Sequence, residues 1–209
     1  MLEPWRIAVA IGLFATLVAL ALWQLWTTGS VRRFQEYAFL LYTTGLAVAY
    51  GVVHDQVTVT ISPEYFLYWK GLASDPRPLR WAAALVGVQS SWWTGLLGGA
   101  VLLVANNPRR RGPPRLPLAR LARIAVLPLI AAALGAVASG VAVAADLLGR
   151  DNVPAAVVPG RADVFMTVWS VHIGSYAGAA LGTLGCIALV EARRWSRLRE
   201  RERLAAPDR

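Results

Sequence analysis

Five long apolar stretches dominate this sequence and limit what it can fold into. They cover residues 5–26, 34–53, 79–105, 121–148 and 164–190. An α-helix needs about 20 mostly apolar residues to cross the hydrocarbon core of a bilayer, and each stretch reaches that length. Because lipid offers the backbone no hydrogen bonds, such stretches are stable there only as helices. We therefore predict an all-α fold, an integral membrane bundle of about five transmembrane helices.

The first stretch differs from a cleaved signal peptide. Its apolar part is too long, and Trp23-Gln24-Leu25-Trp26 lacks the small residues of a cleavage site. We expect it to be retained as a helix. Residues 1–191 would then form one transmembrane domain, and residues 192–209 a basic cytoplasmic tail.

Arginine-rich segments alternate with the apolar stretches and predict the orientation of the bundle. The net charge is +9, and the basic residues cluster at Arg32-Arg33, in the segment 106–123 and after Glu191. Cytoplasmic loops of membrane proteins are enriched in Lys and Arg. We therefore predict an external N-terminus and a cytoplasmic C-terminus. Since topology accounts for the basic residues, we expect the lipid bilayer as partner and no nucleic acid.

Small residues predict that the last two helices pack against each other. Burial in lipid does not drive helix association, but small side chains let two backbones approach closely. The relevant residues are Gly174, Gly178 and Gly182 in the fifth stretch, and Gly135 and Ser139 in the fourth. We expect a tight pair here, with a kink at Pro128 because proline removes a helix hydrogen bond.

Two histidines and three acidic residues are predicted to lie in the outer half of the bundle. They are His54, Asp55, Glu64, Asp146 and His172. An ionisable side chain at membrane depth costs about 2.5–3.5 kcal/mol on insertion scales, and such residues tend to mark function. Imidazoles and carboxylates are ligands for divalent zinc, iron or manganese. We predict His54, Asp55, Glu64 and His172 as metal ligands and Asp146 as a catalytic base.

Each candidate also has a purely structural interpretation. His54 and Asp55 lie where the second helix reaches the headgroups, and a charge costs little there. Glu64 suits the first turn of a helix, because a carboxylate complements the helix dipole. Asp146 suits a helix end in water, and His172 suits a hydrogen bond within the bundle. The sequence leaves these alternatives open.

The connection after the second stretch contains two local patterns. Residues 57–61 alternate polar and apolar side chains, which is typical of a short strand but also fits a longer second helix. Ser62-Pro63-Glu64 then combines a capping residue, a proline at the first helical position and an acid in the first turn. We expect a short interfacial helix through the aromatic residues that follow.

Several segments resemble a family of small bacterial multi-pass membrane proteins. The resemblance rests on His54-Asp55-Gln56, Ser62-Pro63-Glu64-Tyr65-Phe66, Trp92-Trp93, Val171-His172 and Ser175-Tyr176. It implies a multi-pass protein of the bacterial inner (plasma) membrane and implies no activity. Five stretches with nine tryptophans also resemble the tryptophan-rich translocators, but the tryptophan-proline pattern of that family is missing.

Three functions are compatible with these features. The first is an outward-facing His/carboxylate site that binds a divalent metal and acts on a lipid, an apolar small molecule or a redox partner. The second is a transporter or proton relay, for which the inner halves of the helices hold too few ionisable groups. The third is a structural or accessory subunit that binds membrane-protein partners or a second copy of itself. Hydrolase, phosphate-loop and dinucleotide motifs are absent from the sequence.

Overall fold

The computed structural model of the chain describes residues 4–29, 31–107, 112–147 and 153–205. Within these ranges it contains α-helices, a short π-helix and a 3₁₀ turn, and no strand. The α-helices are α1 (Pro4–Thr28), α2 (Val31–Ile61), α3 (Leu79–Ala105), α4 (Leu118–Ile124), α5 (Leu127–Ala144) and α6 (Ala162–Ala205). The π-helix covers Tyr65–Trp69 and the 3₁₀ turn Pro159–Arg161.

Five helical segments of the described chain are long and apolar enough to span a membrane. They are α1, α2, α3, the combined α4 and α5, and α6. Large apolar side chains such as Phe14, Leu134 and Leu181 are exposed on these segments, as expected where lipid replaces water. The predicted all-α architecture with five candidate spans is confirmed.

Several helices begin or end at residues other than those predicted from the sequence. The strand-like residues 57–61 continue α2 as helix, and Thr58 and Thr60 donate hydroxyl hydrogen bonds to the carbonyls four residues earlier. The fourth span ends at Ala144, and α6 continues through the predicted tail to Ala205. Arg109–Arg111, Leu148 and the last four residues of the tail (206–209) lie outside the described residues.

The predicted pairing of the last two spans is confirmed. A side-chain atom added at Gly174 would meet the Gly135 carbonyl and Ser139, and one added at Gly178 would meet the Ala131 carbonyl. The two backbones are therefore in direct contact, and only glycine fits at these crossings.

A second tight pair, α2 with α3, was not predicted. A Cβ added at Gly87 would lie 2.6 Å from the Gly51 carbonyl oxygen, and one added at Gly51 would lie 2.7 Å from the Gly87 carbonyl oxygen. The buried residues of α3 continue at four-residue spacing through Ser91, Gly95 and Gly99. The described bundle thus consists of two glycine-packed pairs, α2/α3 and α5/α6, with α1 at the periphery.

The fourth span is interrupted just before Pro128. The helix stops at Ile124 and restarts at Leu127, with Pro128 in its first turn. Proline has no N–H, so the carbonyl of Ile124, four residues earlier, loses its usual helical partner. The buried Cys186 thiol donates to that carbonyl at 3.4 Å. The predicted kink at Pro128 is therefore present as a break, stabilised from α6.

Arg194 is an exception among the tail arginines because it is only 2% exposed. Its guanidinium donates to the carbonyl of Ala105, the last residue of α3, at 2.5 Å. It also reaches the carbonyls of Asn107 at 3.1 Å and Pro113 at 2.9 Å. Arg194 thus caps α3 and joins Asn107 and Pro113 to α6.

Candidate metal centre

Three of the predicted ligands meet between α2 and α6, near the end of the bundle that carries residues 62–78. His54 and Asp55 are adjacent on α2, and His172 lies on α6. One potential ligand atom from each residue lies within 4.8 Å of the other two. The Asp55 and His172 side chains are each only 5% exposed. The structure thus brings together three of the four residues that the sequence predicts as metal ligands.

The hydrogen bonds of His172 determine which of its ring nitrogens carries a proton. Nδ1 lies 2.8 Å from the carbonyl oxygen of Val168, and a carbonyl only accepts, so Nδ1–H is the donor. In the neutral ring Nε2 then carries a lone pair. That atom lies 3.1 Å from the Oδ1 atom of Asp55. A contact at this distance therefore requires either a proton or a metal ion between the His172 nitrogen and the Asp55 oxygen.

His54 brings a further ring nitrogen to the same place. Its Nε2 atom is buried and has no hydrogen-bond partner within the described chain. The ring stacks on Tyr50 and meets the His172 ring edge-on, with 4.7 Å between the two ring centres. A buried polar atom without a partner is costly, and in native proteins it usually indicates a function or an unseen ligand.

Aromatic residues of the π-helix cover the cluster. The Tyr65 ring stacks on the His172 ring with 4.6 Å between the ring centres, and the centre of the Phe66 ring lies 6.1 Å from that of His172. Both side chains are buried, and burial raises the pKa of the Tyr65 hydroxyl, which therefore stays protonated. The π-turn itself is closed by the Lys70 N–H donating to the Tyr65 carbonyl at 3.1 Å. Single π-turns of this kind occur frequently at functional sites.

Glu64 lies outside the group of three. Its carboxylate accepts two hydrogen bonds from the Arg161 guanidinium, at 2.9 and 3.1 Å, and one from the Ser62 hydroxyl at 2.9 Å. Hydrogen bonding to Arg161 lowers the pKa of Glu64 from 4.5 to about 2. Glu64 therefore joins the 62–78 connection to the start of α6, and the structure does not bring it to the predicted ligand set.

Asp146 also lies outside the cluster. It is exposed, follows the end of α5, and has a left-handed backbone with φ of 58°. Its N–H donates to the Val143 carbonyl at 3.0 Å, which closes the last helical turn. Asp146 was predicted as a catalytic base, but α5 ends at Ala144 and the residue is exposed beyond that end. This placement corresponds to its structural interpretation, a helix end.

The cluster lines one end of a cavity of about 660 Å³ between the α2/α3 and α5/α6 pairs. Tyr50, Ser90, Ser175 and Tyr176 line the wall together with the three candidate ligands. Farther along, the wall is mostly apolar and includes Leu46, Leu97, Val101, Leu129, Leu184 and Ile187. The site is therefore a polar pocket that opens onto a largely apolar chamber.

Sequence reasoning missed two contacts that position the cluster. The hydroxyls of Tyr50 and Ser175 lie 2.9 Å apart and join α2 to α6. Tyr50 precedes His54 by four residues and Ser175 follows His172 by three, so helical spacing alone places each beside its histidine. The second missed contact, Arg161 with Glu64, connects residues far apart in the sequence and has no local signal.

Two imidazoles and one carboxylate form a recognised ligand set. Catalytic zinc sites commonly offer three protein ligands and keep one position open. Two histidines with one carboxylate are also typical of iron(II) sites that bind further ligands. Two ligand atoms on one tetrahedral metal lie about 3.4 Å apart when each bond is about 2.1 Å. The 3.1 Å between His172 and Asp55 is close to that value.

Comparison of the chain with protein-family models, curated proteins and solved structures yields no match.

Proposed function

We propose that this chain is a membrane-embedded metalloprotein of the bacterial plasma membrane. His54, Asp55 and His172 hold one divalent metal ion near the outer face, and the metal acts on an apolar molecule or lipid in the adjoining cavity. The observation that carries the proposal is the grouping of ligand atoms from His54, Asp55 and His172 within 4.8 Å of one another. Nε2 of His172 lies 3.1 Å from Oδ1 of Asp55, and a proton or a metal ion between them prevents two acceptors from repelling each other in a buried site.

A metal ion accounts for more of this geometry than a proton does. One proton would join His172 to Asp55 but would give no role to the His54 ring that meets the His172 ring edge-on. A metal ion accepts a lone pair from all three residues at once. The three potential ligand atoms already lie within 4.8 Å of one another, so small side-chain rotations complete the coordination.

The ligand types favour zinc, iron(II) or manganese(II). Imidazole and carboxylate are ligands of intermediate to hard character, whereas copper(I) prefers sulfur. Cys186, the one cysteine of the chain, packs with Ile124 and Val190 in a separate apolar cluster. With three protein ligands, the metal keeps a position for water or for an oxygen atom of the substrate.

The cavity wall disfavours the proton-relay alternative. Its histidines, its aspartate and its two tyrosines all lie toward one end, and the wall beyond them carries only threonine hydroxyls among apolar residues. A proton path across a membrane requires polar groups along its whole length. An accessory-subunit role, with His172 and Asp55 as a structural pair, is the alternative that metal analysis separates from our proposal.

Elemental analysis of the protein purified in mild detergent tests the proposed function. We expect one zinc, iron or manganese per chain in the wild type and its loss in His54→Ala and His172→Ala. Glu64→Gln serves as the matched control and should keep the metal, because its carboxylate binds Arg161. Absence of stoichiometric metal from the wild type, or its retention in both histidine variants, would refute the metal site and favour the accessory role.

A further inference from the structure

The cavity has the proportions of a site for a single extended molecule. Its volume of about 660 Å³ falls within the range of about 300–1,000 Å³ that is usual for small-molecule pockets. Along α2 its wall extends from Asp55 to Thr43. Twelve helical residues correspond to about 18 Å. The cavity is therefore long, with polar groups at one end and mainly apolar walls beyond.

The exposed parts of the wall indicate how an apolar guest gains access. Trp93, Leu97 and Leu184 line the cavity and are 50%, 56% and 62% exposed. They lie within the candidate spans, so the opening faces laterally, at the level of the acyl chains. A guest arriving through this opening comes from the bilayer.

Charge balance favours an anionic head group for the guest. A divalent metal with two neutral imidazoles and the Asp55 carboxylate keeps one net positive charge. An uncompensated charge is expensive in a buried site, and a neutralising partner is strongly favoured. A singly negative head with oxygen donors supplies that partner and fills the open metal position. Ser90 and Tyr176 add polar hydroxyl groups to the adjacent wall.

From this shape and charge we infer that the cavity binds a single-chain amphiphile with a carboxylate head, a long-chain fatty carboxylate. Its head lies on the metal beside His54 and His172, and its chain extends along Leu97, Leu129 and Ile187. The inference rests on the proposed metal site, and it adds the chemical class of the ligand.

Gly98 provides a selective way to block the chain without touching the metal. It lines the cavity, and a Cβ added there meets no atom within 4 Å. Gly98 lies eight residues beyond Ser90 on α3, about 12 Å along the helix axis. The Cβ of a leucine at position 98 therefore meets open space, and we expect the rest of the side chain to occupy the space for the distal chain. Gly45 is the matched control, because it also has open space and is exposed on α2, outside the cavity wall.

The test measures binding of tritiated palmitate to metal-loaded protein in detergent, with octanoate and hexadecanol as competitors. We expect one palmitate per chain, and hexadecanol, which lacks the charge, should compete at least about tenfold more weakly. Gly98→Leu should weaken palmitate binding at least about tenfold, whereas octanoate should compete equally in both proteins. Gly45→Leu should behave as wild type.

The outcomes separate this inference from the proposed function. Metal content is measured on the same samples, and a metal-free wild type overturns both. Metal without palmitate binding, equal competition by hexadecanol, or full palmitate binding by Gly98→Leu overturns the fatty-carboxylate inference alone. Equal palmitate binding after removal of the metal with a chelator also overturns it, because the head would then not lie on the metal.

Discussion

The Nε2 atom of His172 and the Oδ1 atom of Asp55 lie 3.1 Å apart across 117 residues of sequence. The other ring nitrogen of His172 is already committed to the Val168 carbonyl. This contact between α6 and α2 therefore requires a proton or a metal ion between the two atoms. The histidine is oriented by a backbone hydrogen bond, an arrangement that is usual for metal-binding histidines.

Asp55→Asn should abolish tight metal binding without unfolding the protein. The asparagine amide can donate a hydrogen bond to Nε2 of His172, so the α2–α6 contact persists without a cation. We expect metal affinity to fall by at least about tenfold and the melting temperature in detergent to stay close to that of the apo wild type. Competitive chelator titration measures the affinity, and Asp75→Asn, in the 62–78 connection, is the control. Unchanged affinity in Asp55→Asn would exclude this carboxylate as a ligand.

Glu64→Gln should destabilise the protein in a pH-dependent manner. The ion pair with Arg161 lowers the pKa of Glu64 from 4.5 to about 2 in the folded chain. A lowered folded-state pKa means that the stabilisation is fully present above about pH 4.5 and is lost as the pH falls toward 2. Because the pair is partly exposed, we expect the substitution to lower the free energy of unfolding by about 1 kcal/mol at pH 7.

Thermal melts of wild type and Glu64→Gln from pH 7 down to pH 3 measure this effect. The difference between the two should shrink below about pH 4.5, in accordance with the lowered pKa of Glu64. A constant difference across that range would show that the glutamate acts through its shape and hydrogen bonds alone. Arg161→Gln, which removes the other partner of the pair, should cancel most of the pH dependence.

Gly87→Leu should separate α2 from α3. A Cβ at this position would lie 2.6 Å from the Gly51 carbonyl oxygen, so the backbones must move apart. Overpacking typically costs about 1–3 kcal/mol, and backbone contacts have little room to relax. Unfolding in SDS titrations should therefore begin at a lower SDS fraction, while Gly45→Leu, which meets open space, should match wild type. Equal stability of the two variants would contradict the glycine-packed pair.

Arg194→Lys should loosen the end of α3 despite conserving the charge. The guanidinium reaches the carbonyls of Ala105, Asn107 and Pro113 together, whereas a lysine ammonium is a compact point charge that lacks the planar fork of arginine. Breaking a buried charged contact costs about 3–5 kcal/mol of folding stability, and we expect Arg194→Lys to lose an amount near the lower value. Melting in detergent tests it, with exposed Arg193→Lys as the neutral control. Equal effects of the two substitutions would remove the special role of Arg194.

Cysteine labelling tests the predicted orientation. Ala73 lies exposed in the 62–78 connection and Ser196 is exposed near the other end of α6. In intact cells a membrane-impermeant maleimide should modify Ala73→Cys but not Ser196→Cys, and lysis should make both reactive. The native Cys186 is only 1% exposed and should react little. Protection of Ala73→Cys in intact cells would place the cluster on the cytoplasmic side.

The sequence was sufficient to predict the number of spans and the α5/α6 pair, because length, hydropathy and glycine spacing are local properties. The α2/α3 pair was not predicted, although α3 has the same four-residue spacing in Gly87, Ser91, Gly95 and Gly99. The same local reasoning would therefore have predicted it. Residues 57–61 were ambiguous because all five are β-branched and because apolar side chains alternate with threonine, as in a strand. A continuation of the second helix was equally compatible with the segment. In the structure the hydroxyls of Thr58 and Thr60 donate to backbone carbonyls of the preceding helical turn, so both threonines fit into α2.

For the site, the sequence was informative wherever a residue is fixed by a long helix. His54, Asp55 and His172 lie on α2 and α6, so their depth and face follow from helical geometry. Glu64 and Asp146 lie in or next to connections, and the direction of a connection depends on distant partners. Arg161, 97 residues away, determines where Glu64 points, and no local pattern predicts that.

The glycine contacts join α2 to α3 and α5 to α6, so the described bundle is built from two closely packed halves. Asp55 belongs to one half and His172 to the other, and the cavity lies between them. The spacing of the two ligand atoms and the width of the cavity therefore both depend on how the two halves dock against each other.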